Sequence, residues 1–149
     1  MKEKQVLEQE KLILTVRLWH PVMRAEEIVN GIDRTPSLAE TAGKNYITPK
    51  GVVTNRINKE TYVIYDFPRG RGNDLFDAVK TANSFLFENI DFFTQFKKSG
   101  GRCDYYITIV SKDNYSFVLD PEIIGECAQL GVQIWVEIFY GDKLDLIPS

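Results

Sequence analysis

Residues 12–19 read LILTVRLW, and this stretch sets the class of fold. In an extended chain, Arg17 and Trp19 fall on one side. The other side is aliphatic and carries Leu12, Leu14, Val16 and Leu18. An alternation of period two is typical of a β-strand, and the aliphatic side predicts that this strand is largely buried.

The rest of the chain alternates further strand and helix patterns. Residues 61–67, TYVIYDF, are rich in β-branched and aromatic side chains and predict another strand. A long apolar stripe at helical spacing runs from residue 75 to residue 96, with a break near Asn89. Asp120 and Pro121 open a later helix, because aspartate caps free N–H groups and proline fits the first helical position. The other predicted elements are a helix at 24–32 that Gly31 ends, a turn at 112–114, strands at 103–110, 115–119 and 132–140, and Gly131 ending the later helix.

This order mixes helices among strands too irregularly for a doubly wound parallel sheet. We therefore predict an α+β fold with helices packed on one face of a mixed or antiparallel sheet. A strand followed by a short helix opened by proline occurs at 12–32 and at 103–131, which would make two related β-α-β halves of the ferredoxin-like kind. With 149 residues, 44% of them hydrophobic, we expect a single domain, 1–149, with loose tails at 1–11 and 141–149.

Targeting signals and cysteine motifs are missing from the sequence. No apolar run approaches the roughly 18–20 residues of a membrane span, and the first residues lack the apolar centre of a secretory signal. We therefore expect a cytoplasmic protein without a membrane partner. Cys103 and Cys127 form no C-x-x-C pair and are expected to be buried free thiols.

Charge is unevenly distributed, although the net charge is only −3. Residues 44–71 contain six bases and two acids, whereas residues 113–149 contain seven acids and one base. Residues 33–60 are polar and interrupted by proline and glycine, which predicts a long excursion with one or two weak edge strands. Long loops often carry function, so Lys44, Lys50 and Arg56 are candidate binding residues, although solvated loops also need charge.

The loop FPRGRGND, at 67–74, lies between a predicted strand and the long helix. A glycine-rich turn before a helix can cradle phosphate with backbone N–H groups. This loop has two glycines and no Gly-Lys-Ser/Thr, and Asp74 stands where an anion would approach. We expect a capped connector, in which Arg69 and Arg71 are candidates for contact with a carboxylate or phosphate.

No residue pattern predicts catalysis, a metal or a cofactor. The single histidine, His20, has no partners at metal-ligand spacing and is expected to be a polar residue at the corner after the first strand. Glu122 and Glu126 share one face of a predicted helix, where we expect solvated carboxylates and no acid–base pair. A Gly-x-Ser-x-Gly motif for a serine nucleophile is also missing.

Several features of the chain recur together in a known family. They are GIDRTPS at 31–37, an aromatic strand at 62–67, a long helix ending in Gly-Gly-Arg at 100–102, LDPEII at 119–124, QLGV at 129–132 and a terminal strand ending in Phe-Tyr at 139–140. Over residues 12–140 the chain resembles an uncharacterised, mostly bacterial family catalogued as domain of unknown function number four-two-seven-nine. The resemblance implies an α+β fold and carries no established activity, so it assigns no functional residue.

Together these observations favour a small non-catalytic binding module with a protein partner, of which an immunity or adaptor protein is one type. The partner would meet the 33–60 excursion and the loop that carries Arg69 and Arg71. One alternative is a small-molecule-binding protein or enzyme with a cleft that uses Arg69, Arg71 or His20. Another is RNA binding by aromatics such as Tyr106 and Trp135, but a pI near 5.2 disfavours nucleic acid and we expect these rings in the core.

Overall fold

The computed structural model describes residues 11–67 and 75–140. Its strands are β1 (Lys11–His20), β2 (Leu38–Glu40), β3 (Asn45–Ile47), β4 (Val53–Ile57), β5 (Thr61–Asp66), β6 (Arg102–Ser111) and β7 (Gln133–Tyr140). Its helices are α1 (Ala25–Gly31), α2 (Leu75–Glu88), α3 (Ile90–Lys98) and α4 (Pro121–Leu130). Arg69 and Arg71 lie outside the described residues, as do nearly all of the two predicted tails.

A five-stranded sheet in the order β2-β5-β1-β6-β7 forms the centre of the molecule. β1 pairs antiparallel with β5 and β6, while β6 pairs parallel with β7, and α4 makes the crossover that a parallel pair requires. β3 and β4 form a separate two-stranded sheet. The predicted α+β class with a mixed sheet is confirmed. The ferredoxin-like repeat is not confirmed, because β1 and β5 are antiparallel neighbours whereas β6 and β7 are parallel ones.

One face of the sheet builds the core. The aliphatic side of β1 is almost completely buried, at 0–1% exposure for Leu12, Leu14, Val16 and Leu18. These side chains join inward-facing residues of β5 and β6 and buried residues from all four helices in one cluster. Each large apolar side chain buried there stabilises the fold by about 1.5–3 kcal/mol relative to exposure. The described helices therefore pack on one face, as predicted.

A polar network holds α2 against α4. Asn83, which is 1% exposed, accepts a hydrogen bond of 2.7 Å from the Tyr105 hydroxyl and donates one of 2.9 Å to Glu126. Lys80 donates to Glu122 at 2.7 Å and to Glu126 at 2.9 Å. The bonds from Lys80 and Asn83 lower the pKa of Glu126. The two carboxylates are thus ion-pair partners at a helix interface, which helical spacing alone did not predict.

The predicted strand at 115–119 is wrong. Residues 114–120 have no regular secondary structure. A hairpin after β6 would need a free edge of that strand, and β1 and β7 occupy both edges. Tyr115 and Leu119 instead pack against the core cluster, and Asp120 caps α4 by accepting a 2.9 Å hydrogen bond from the backbone N–H of Ile123.

His20 closes the corner after β1, as predicted. Its side chain is 1% exposed, and Nδ1 accepts hydrogen bonds from the backbone N–H groups of Val22 (3.1 Å) and Met23 (2.8 Å). Nε2 therefore carries the proton and donates to Ser99 Oγ at 2.9 Å. Burial lowers the pKa of His20, so the folded protein keeps the ring neutral.

Acidification is expected to destabilise the protein through His20. Because the pKa of His20 is lower in the folded protein, the unfolded chain binds more protons once the pH falls below the unfolded pKa of about 6.5. The stability that neutral His20 contributes is complete above that pH and is lost as the pH falls toward the folded pKa. Urea unfolding at about pH 7.5 and about pH 5.5 measures the change. His20→Gln, which cannot titrate, should be less stable at neutral pH and lose less on acidification; an equal loss would contradict this role.

Gly31 ends α1 as predicted, but glycine is needed at this position because of packing against a neighbouring helix. A Cβ at this position would lie 2.2 Å from Cδ1 of Phe92 on α3. Glycine is therefore required for α1 to approach α3 this closely.

We expect Gly31→Ala to lower the free energy of unfolding by about 1–3 kcal/mol, the usual cost of overpacking. Gly125→Ala is a matched control inside α4, because a Cβ there meets no atom within 4 Å. That control should raise stability by about 0.5–1 kcal/mol, since alanine is the better helix former. Thermal or urea unfolding of both variants measures these changes in stability. A Gly31→Ala protein as stable as the wild type would refute the packing constraint.

Candidate functional site

The hairpin formed by β3 and β4 carries the three candidate bases that the structure describes. Lys44, Lys50 and Arg56 are all exposed, and Lys59 adds a fourth exposed base just beyond β4. No aspartate or glutamate occurs between residues 41 and 59. The hairpin region therefore has a formal charge of +4 in a chain whose net charge is −3.

The hairpin also exposes an aliphatic surface. Ile47 faces Val53 across the two strands, and Asn45 faces Ile57 beyond a shift in register. Facing residues share a side, and so do residues two apart on a strand, which places Ile47, Val53 and Ile57 together. Their exposures are 52%, 64% and 50%, and Val52 beside them is 59% exposed. We call these four aliphatic residues, together with the four bases of the same hairpin, the hairpin patch. The bases are Lys44, Lys50, Arg56 and Lys59, of which Arg56 lies on the opposite side, against Tyr46.

Hydrogen bonds within the hairpin hold its two strands together. On the side opposite the aliphatic residues, Thr54 Oγ1 donates to the Tyr46 carbonyl at 2.7 Å; on the aliphatic side, Asn45 Nδ2 donates to the Thr54 carbonyl at 2.9 Å. The Arg56 guanidinium lies 4.3 Å from the centre of the Tyr46 ring, a cation–π contact that orders this side chain. These contacts within the hairpin hold its two strands together while its aliphatic side stays exposed.

Hydrogen bonds close the base of the hairpin, and Thr61 then joins that base to the main sheet. Gly43 N–H donates to the Asn58 carbonyl at 2.9 Å, and Asn58 N–H donates to the Lys44 carbonyl at 2.9 Å. Gly43 has φ +81°, which favours glycine at this entry to the hairpin. Thr61, the first residue of β5 and fully buried, accepts from Ala42 N–H at 3.0 Å and donates to the Met23 carbonyl.

An open cleft of about 570 Å³ separates the hairpin from β2. Glu40, Lys44 and Tyr46 are among the residues that line it. His20 does not line this cleft, and its two ring nitrogens already have hydrogen-bond partners. The structure therefore gives no support to a cleft organised around His20.

Sequence reasoning found the bases of the patch and missed its aliphatic half. Val52-Val53 and Ile47 are short apolar pieces in a polar stretch. Their isolation from other apolar residues could have indicated that these side chains are exposed. Tyr106 and Trp135 were expected in the core, but strand alternation places both on the face opposite the core cluster. That placement follows from register, which composition does not reveal.

Residues 11–67 and 75–140 contain neither a metal-binding cluster nor a membrane-spanning helix. No group of three or more histidine, cysteine, aspartate or glutamate residues in these ranges could hold a metal ion. Within the same ranges, no helix has the length and apolar character needed to cross a membrane. Cys103 and Cys127 are buried free thiols, as predicted, and burial raises the pKa of both.

Comparisons with known proteins add no family assignment. No family model, no curated protein and no solved structure matches this chain. The resemblance to the uncharacterised bacterial family stays a prediction, and the hairpin patch has to be interpreted from its own chemistry.

Removing the Thr61 hydroxyl is expected to loosen the hairpin at its base. Thr61→Val keeps the shape of the side chain but leaves Ala42 N–H and the Met23 carbonyl without this partner, at a cost of about 1–3 kcal/mol. Hydrogen exchange of the amides at 42–58 should accelerate in this variant.

Thr15→Val is the matched control on β1, because the Thr15 hydroxyl makes an exposed hydrogen bond of 3.4 Å to Asp66. Its hairpin amides should exchange as in the wild type. Equal exchange rates in the wild type and Thr61→Val would show that Thr61 does not anchor the hairpin.

Proposed function

We propose that this protein is a non-catalytic binding module that docks an acidic protein partner through the hairpin patch. The observation that carries the proposal is the combination of four aliphatic side chains, each at least half exposed, with four bases on one anchored hairpin. Exposed apolar groups with charged groups close by are typical of interaction surfaces.

Each part of the patch has a separate physical role. Covering an aliphatic side chain such as Val53 or Ile47 removes apolar surface from water and supplies affinity. The excess positive charge selects an acidic surface and accelerates encounter with it. A partner with an apolar groove bordered by aspartate or glutamate satisfies both requirements.

A protein fits this surface better than a nucleic acid. Nucleic-acid affinity depends on neutralising many phosphates and on aromatic rings that stack on bases. The outward side of the hairpin offers isoleucine and valine, and its Tyr46 ring is already covered by Arg56. A cytoplasmic immunity or adaptor protein remains the biological role that we propose for such a module.

Two double variants test the proposal against one control. Lys44→Glu/Lys50→Glu cancels the +4 charge of the patch, and Ile47→Ser/Val53→Ser removes two of its aliphatic side chains. The control, Lys98→Glu/Val118→Ser, combines one change of each kind at exposed positions outside the patch. Each patch variant should weaken the complex by about tenfold or more, in line with the cost of truncating central interface residues; the control should not.

The partner is first captured by crosslinking in cells of the native host and is then purified for calorimetry with each variant. Binding should weaken as salt is raised, because exposed charges are screened. A partner whose affinity is the same for all three variants would refute the proposal. So would wild-type binding to anionic phosphatidylserine vesicles without a protein partner.

A further inference from the structure

A concavity of about 410 Å³ lies where β1 ends and where β6 and β7 begin, away from the hairpin patch. We propose that it binds a small planar aromatic compound carrying an anionic group, of which a nucleoside monophosphate is a representative. Its volume falls in the range of about 300–1,000 Å³ that is usual for ligand pockets. This site is independent of the protein-docking function proposed above.

The floor of the concavity is an ion pair joined by two hydrogen bonds. Arg17 on β1 lies directly opposite Asp104 on β6, and its Nε and Nη2 donate to the two carboxylate oxygens at 2.7 and 2.6 Å. Asp104 is 5% exposed, and the hydrogen bonds to it raise the pKa of Arg17. The Tyr106 ring lies 4.5 Å from the Arg17 guanidinium, so the pair forms a fixed polar floor and leaves the stacking surface to the exposed indole of Trp135.

Two indole rings border the same floor. The Arg17 guanidinium carbon is 5.0 Å from the centre of Trp19 and 5.6 Å from that of Trp135. Trp19 is held by stacking on Tyr62 at 5.1 Å, whereas Trp135 is 53% exposed. These are the two tryptophans of the chain, and an exposed indole beside a fixed one favours the capture of a flat ring.

The charges around the floor favour an anion. Arg102, which lies over the Trp19 ring, pairs with Glu60 through an ion pair whose side chains are 61% and 41% exposed. Lys97 reaches the site from α3 and donates to the Gly131 carbonyl at 2.7 Å. With Arg17 balanced by Asp104 and Arg102 by Glu60, Lys97 leaves one net positive charge.

An anionic group can compete for these bases at little cost. Exposed ion pairs such as Arg102 with Glu60 contribute only about 0–1 kcal/mol, so a phosphate or carboxylate can displace Glu60. Arginine then offers two parallel donors to the anion, and Lys97 offers a point charge nearby. The ring of the ligand stacks on the exposed Trp135 indole above the floor while its anionic group meets Arg102.

Intrinsic fluorescence tests this proposal directly, because both tryptophans line the site. Adenosine 5′-monophosphate is titrated into the full chain, with adenosine and inorganic phosphate as separate probes, and calorimetry repeats each titration. We expect saturable quenching by the nucleotide, weaker binding of adenosine and no fluorescence change with phosphate.

Three variants locate the binding. Arg102→Ala should weaken nucleotide binding by about tenfold, since a charge-assisted hydrogen bond is lost. Trp135→Ser should weaken nucleotide and adenosine alike, with Trp19 as the remaining reporter. Arg24→Ala removes a matched exposed arginine that pairs with Glu27, and it should bind as the wild type does.

Several results would overturn the proposal. They are no saturable signal with the nucleotide, binding that inorganic phosphate reproduces, and equal nucleotide affinity for the wild type and Arg102→Ala. Ile47→Ser/Val53→Ser should keep nucleotide binding intact, so failure of this site and failure of the hairpin patch are separate outcomes.

Discussion

The double pairing of β1, with β5 on one side and β6 on the other, positions the rest of the molecule. Both pairings are antiparallel, and their registers place Arg17 between Ile64 and Asp104. Because side chains alternate along a strand, this register also sends every second residue of β1 into the core. A shift of one residue would exchange the two faces, burying Arg17 and exposing aliphatic side chains.

The two faces of that sheet have different structural roles. The core face buries its aliphatic residues with the four described helices and holds α2 to α4 through Asn83. The opposite face keeps the Arg17–Asp104 pair, where the guanidinium is surrounded by aromatic rings at 4.5–5.6 Å. A buried ion pair stabilises little against its desolvation, so its value here lies in specifying register and in shaping a polar floor.

The hairpin patch depends on the same sheet through its base. Thr61 begins β5 and binds both Ala42 and the carbonyl of Met23, so the chain leaves and rejoins the sheet at fixed points. β3 and β4 make no ladder with the five-stranded sheet. Their aliphatic side therefore stays exposed, because no described strand or helix covers it. An anchored element with an uncovered apolar side is suited to meeting another molecule.

Local features of the sequence predicted most of the elements. Alternation marked β1 and β5, helical spacing marked α2 and α3 with the break at Asn89, and Asp120 with Pro121 marked the start of α4. These signals succeed because capping and periodicity act over a few residues. The strand expected at 115–119 failed because its pattern says nothing about which edge of β6 is free.

The sequence by itself determined the α+β class, the positions of the helices, the burial of β1 and the basic character of the hairpin region. Only the tertiary structure decided which distant residues meet: Arg17 joins Asp104 across 87 positions, and Trp19 and Trp135 border one floor. It also decided that the hairpin's aliphatic side stays uncovered. The physical reason is that patterning fixes which side of an element is apolar, whereas strand order and register fix what that side faces.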